Sequence, residues 1–105
     1  MKRKFRTWDE FMAQDVLNSS ENIALYLEAS LEEFQYDHDI NALMVSVERV
    51  AKLQGSLSSL AEKTSISRQN LYKIFGHKVV PRFDTVLKII EALGFSFAVV
   101  PKHTH

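Results

Sequence analysis

Between Ser67 and Lys73 the chain places Arg68, Gln69, Asn70, Tyr72 and Lys73 around one apolar residue, Leu71. These side-chain types hydrogen-bond base edges and phosphates in a DNA major groove. Arginine matches O6 and N7 of guanine, whereas glutamine and asparagine match N6 and N7 of adenine, and each good pair is worth roughly 1–3 kcal/mol of discrimination. Arg68 and Gln69, at the start of the segment, are the expected base-contacting residues, and Asn70 offers the same chemistry. Tyr72 and Lys73 stand one turn later and suit sugar-phosphate or a thymine methyl. Ser67 has two expected roles, capping a helix and meeting a phosphate oxygen. Ser56, Ser58, Lys78 and Arg82 flank the segment at helix starts and loops, where amides and cations bind phosphate.

Such residues can enter a groove only from a helix that a second helix braces. Leu57, Leu60 and Ala61 share one helical face, Thr64-Ser65 breaks the period, and Leu71, Ile74 and Phe75 share the next face. The spacing predicts short helices over 57–63 and 68–75 joined by a tight turn. A small residue, Ala61, lets the two cross closely, while Ile66, Leu71 and Ile74 fill the shared core. The polar face of the second helix then points outward.

Around this pair, Ile23, Leu27, Leu31 and Phe34 predict a helix over 20–35, and Ile40, Leu43, Met44, Val47, Val50 and Ala51 predict another over 39–54 ending at Gly55. Gly76 to Pro81 reads as a loop, and Val86, Leu87, Ile89, Ile90 and Leu93 predict a helix over 82–93 that Gly94 stops. Thr7-Trp8-Asp9-Glu10 has the form of a capping box and predicts a further helix over 8–14, with Phe5, Trp8 and Phe11 as an exposed anchor for a partner. Residues 95–100 are β-branched and aromatic and predict a short C-terminal strand. No second strand is legible in the chain, so its partner is expected from another copy across a two-fold axis, with Phe95 and Phe97 in the core or dimer interface.

The whole chain has 105 residues, 46% of them hydrophobic, with three Gly, two Pro and no Cys. These bounds predict one domain over 1–105, all-α with five or six helices: acidic helices over 1–54, a DNA-binding core over 55–94, and a strand and tail over 95–105. A two-domain enzyme, disulfides and cysteine zinc sites are excluded. The four histidines show no ligand spacing beyond His103 and His105, no strained nucleophile turn is present, and glycine is too scarce for a phosphate-cradling loop. Neither an enzyme nor a cofactor or metal site is expected. No 18-residue apolar run occurs and the basic residues 1–6 lead into polar ones, so neither a membrane span nor a secretory signal is read, and the chain is expected in the cytoplasm.

Thirteen Lys and Arg balance thirteen Asp and Glu, yet the charges are sorted. Residues 1–54 carry net −4 and residues 55–105 net +4, and residues 7–48 contain ten acids without one Lys or Arg. One half suits phosphate and the other suits a basic partner.

From residue 57 to 94 the chain resembles a lambda-repressor-like (Cro/Xre) helix-turn-helix domain. Asn70-Leu71-Tyr72-Lys73, Pro81-Arg82-Phe83-Asp84-Thr85-Val86-Leu87-Lys88 and Ala92-Leu93-Gly94 resemble the addiction-module antidote branch, the HigA-like antitoxins. The acid-rich stretch Ile23-Ala24-Leu25-Tyr26-Leu27-Glu28-Ala29-Ser30-Leu31-Glu32-Glu33 is similar to that branch's opening helix. The resemblance implies an antidote of a type II toxin–antitoxin module that neutralises a small basic ribonuclease toxin of the RelE/HigB kind. It also implies repression of its own operon, and helix-turn-helix docking geometry adds the expectation of a homodimer on a double-stranded DNA operator with two inverted half-sites. The alternatives are a stand-alone prophage-type repressor without a toxin, and a protein-interaction module that has kept the scaffold. Ser65 departs from the glycine common at such turns, and a positive φ there would cost about 1 kcal/mol.

Overall fold

Four serine and aspartate side chains start the helices. Ser19, Asp39, Ser56 and Ser67 each accept a hydrogen bond from the backbone amide three residues on, at 3.1, 3.2, 3.1 and 3.1 Å respectively. Each such cap satisfies one otherwise orphaned donor and is worth about 1 kcal/mol. The computed structural model describes residues 19–102. These form α1 (Ser20–Asp37), α2 (Ile40–Gln54), α3 (Leu57–Thr64), α4 (Arg68–Phe75) and α5 (Phe83–Ala92). α5 follows Pro81 and has Arg82 at its N-cap without a side-chain cap bond.

One apolar cluster joins all five helices. Met44, Val47 and Val50 of α2, Leu71 of α4 and Ile89 of α5 are its fully buried members. α2 is central, packing against α1, α3 and α4, while α3 also packs against α4 and α5. α1 contributes the buried Ile23 and Leu27, with Leu31 and Phe34 half-buried behind them. Where α1 and α2 approach, Ser30 Oγ donates to Ser46 Oγ at 2.7 Å, so a polar pair sits in the contact without an unmet hydrogen bond. Gln54 Nε2 donates to the Leu93 carbonyl at 2.9 Å and ties the end of α2 to that of α5.

The five helices fall where the apolar periods place them. α1 runs two residues past its expected end because the added Tyr36 and Asp37 are exposed and continue no inward apolar stripe. His38, at φ 58°, then stops it by donating its amide to the Phe34 carbonyl at 2.7 Å. The expected strand is corrected: no strand occurs among the described residues. The segment spends its two aromatic side chains on the helices instead, and leaves Val99 and Val100 exposed. Phe95 and Phe97 are half-buried against the core, the Phe97 ring lies 6.1 Å from that of Phe83, and the other elements offer no edge for a ladder. The expected helix over 8–14, its aromatic anchor and the pair His103 and His105 lie outside the described residues.

Candidate nucleic-acid interface

The turn between α3 and α4 is held by side chains on both sides. Thr64, buried at the end of α3, donates from Oγ1 to the Leu60 carbonyl at 2.8 Å and accepts from the Ile66 amide at 3.2 Å. Ser65 takes the left-handed conformation, φ 62° and ψ 21°, with its amide donating to the Ala61 carbonyl at 2.9 Å. Ser67 then caps α4, and Ile66 packs against the core. Thr64 was not singled out in the sequence because its hydroxyl role depends on where α3 ends. A non-glycine residue at positive φ is strained. Ser65→Gly is therefore expected to raise stability by about 1 kcal/mol, a gain of some 4–8 °C in Tm for a domain of this size. Unchanged or lower thermal melting would contradict the strain.

α4 ends as deliberately as it begins. Gly76 follows its last residue, His77 enters the left-handed region at φ 63°, and the His77 and Lys78 amides donate to the Ile74 and Lys73 carbonyls at 3.1 and 2.8 Å. This paired pattern turns the chain sharply away from the helix. A Cβ on Gly76 would stand 2.9 Å from the Tyr72 carbonyl oxygen, so the close approach there requires glycine. The Lys78 amide is consumed in this turn, and its exposed side chain forms no ion pair among the described residues.

Between these ends α4 buries Leu71, Ile74 and Phe75 and exposes Arg68, Gln69, Asn70, Tyr72 and Lys73. Arg68 Nη1 donates to Ser58 Oγ at 2.9 Å, so a side chain of α3 holds the guanidinium at the front of α4. Ser56, Ser58 and Tyr72 line one open cleft of about 530 Å³ between the start of α3 and the end of α4. The structure thus brings together the expected phosphate contacts of α3 and the outer face of α4. Lys78 and Arg82 stand in the connection after α4 and do not line that cleft. Arg82 faces Asp84, with Nε and Nη2 at 3.3 and 3.4 Å from its two carboxylate oxygens, so its charge is already engaged at the surface. Lys52, near Ser56 in the cleft, pairs with Glu48 at 3.2 Å.

On α1, Glu28, Glu32 and Glu33 are exposed and have no ion-pair partner among the described residues. No helix among those residues is long and apolar enough to cross a membrane.

The fold and site define a small all-helical protein that presents one polar helix on a braced, three-residue turn. The family described as probable addiction module antidote protein matches residues 7–101, and the chain belongs to that family. An uncharacterized protein of Haemophilus influenzae is 32% identical over 90 residues, spanning 86% of this chain and 88% of its own length. No solved structure matches. Membership agrees with the likeness of residues 81–88 and 92–94 to that branch, and an antidote implies a toxin as its partner.

Proposed function

We propose that this protein is the antitoxin of a type II toxin–antitoxin module: it neutralises a small basic ribonuclease toxin of the RelE/HigB kind and represses its own operon. In this reading α3 and α4 form a lambda-repressor-like helix-turn-helix, with α4 entering the major groove. The observation that carries it is the unobstructed polar face of α4, with Arg68 held by Ser58 at 2.9 Å. Arg68, Gln69 and Asn70 at the front of α4 read base edges. Ser56, Ser58, Ser67, Tyr72, Lys73, Lys78 and Arg82 bind the backbone on either side. The protein acts in the cytoplasm as a homodimer that sets two such helices on inverted half-sites, one helical turn or about 34–36 Å apart. The acid-only run over residues 7–48 supplies the complement to a toxin that itself grips RNA.

A gel-shift titration tests the DNA half. The full chain is expected to prefer its own promoter over random duplex, with affinity falling steeply as salt rises, because each neutralised phosphate releases counterions. Lys78→Ala should weaken binding to all sequences alike and flatten the log–log salt slope by about one. Equal affinity for promoter and random duplex would refute the repressor reading.

A further inference from the structure

A groove of about 420 Å³ runs between α1 and residues 95–100, on a different set of residues from the α3–α4 cleft. Its floor is apolar, with the buried Leu27 and Ile90, and Phe97 forms part of the far wall. Ala24, Glu28 and Glu32 line it from α1. The two carboxylates stand one helical turn apart, exposed and without an ion-pair partner among the described residues. Like charges at that spacing oppose the helix until a cation joins them. The far wall is equally unfinished. No backbone group of residues 96–100 is hydrogen-bonded within the described chain, and Val99 is 99% exposed. Backbone donors and acceptors left unpaired in this way are available to an extended segment of a partner.

We infer that this groove is the docking site for the toxin, taken as an extended segment with apolar anchors flanked by Lys or Arg. The inference rests on the antitoxin reading and locates the contact within it. The anchors fill the apolar floor, the cations meet Glu28 and Glu32, and the backbone of the docked segment pairs with residues 96–100. Charge decides between occupants. In a two-fold contact between copies a patch meets itself, which would bring two pairs of unpartnered carboxylates together, whereas a basic partner neutralises them.

The test measures binding of the purified full chain to the product of the adjacent small gene. Glu28→Lys with Glu32→Lys reverses the rim, and Ala24→Lys obstructs the groove from an exposed position on α1. Both variants are expected to bind that protein at least tenfold more weakly than wild type. Both should keep wild-type thermal melting and wild-type promoter binding, whereas Arg68→Ala should weaken promoter preference and keep toxin affinity. Wild-type affinity in both groove variants overturns the inference and leaves the antitoxin reading standing. A changed oligomeric mass with toxin affinity retained also overturns it, and assigns the groove to a second copy. No capture by the wild-type chain overturns the antitoxin reading itself.

Discussion

Leu71→Ala is expected to lower stability by about 2–5 kcal/mol, the cost of removing a buried leucine side chain and leaving a void. Leu71 is the one residue of the polar run that faces inward, and it is fully buried where α4 packs against α2. At roughly 4–8 °C per kcal/mol for a domain of this size, Tm should fall by at least about 8 °C. The upper end of that range reaches the roughly 5 kcal/mol at which small domains are marginal, so promoter binding should be lost on warming through unfolding, with the chemistry of the exposed face unaltered. Leu71→Met, which conserves volume and apolarity, should cost less than about 1.5 kcal/mol and retain binding. Gln69→Ala, two residues earlier on the solvent side, should leave melting within about 0.5 kcal/mol of wild type. If Leu71→Ala melted like wild type, α4 would not be anchored through this residue, and the outward orientation of its polar face would lose its cause.

The contrast between Leu71 and Gln69 also marks what the sequence could show. An apolar residue recurring at three and four positions reports which face of a helix is inward, and the caps at Ser19, Asp39, Ser56 and Ser67 report where α1 to α4 begin. Both signals are local, so the helices and the exposed residues of α4 were legible. Residues 95–100 form no strand within the described chain, because β-branched composition states only that a segment suits a pleated surface, while a neighbouring edge decides whether it forms one. Among the described residues no such edge exists. Ser65 was legible as a departure at the turn, and its φ of 62° bears that out. His38 and His77, also at positive φ, were not, since nothing in their side chains requires it. Contacts that depend on how two helices cross were invisible too. The Arg68–Ser58 bridge joins residues ten apart through the geometry of the turn, and Thr64 braces that turn only because α3 ends on it.

That bridge gives the expected result with the most to say about mechanism. Arg68→Ala should erase the preference at one base pair of each half-site, a loss of about 1–3 kcal/mol, or roughly 5- to 150-fold between the right and wrong base, while affinity for random duplex falls far less. Ser58→Ala leaves the guanidinium in place but removes the hydroxyl that holds it. If Ser58 acts by orienting Arg68, its removal should weaken the same base preference by a smaller factor, and should change that preference no further once Arg68 is already alanine. If Ser58 instead binds a phosphate oxygen, as its place at the start of α3 also allows, its removal should weaken every sequence equally in either background. A cycle of the two single variants and the double variant, titrated against the operator, a single-base variant of it and random duplex, separates these roles. Equal losses on all three duplexes for Arg68→Ala would place the arginine on the phosphate backbone and leave Gln69 and Asn70 to read the bases.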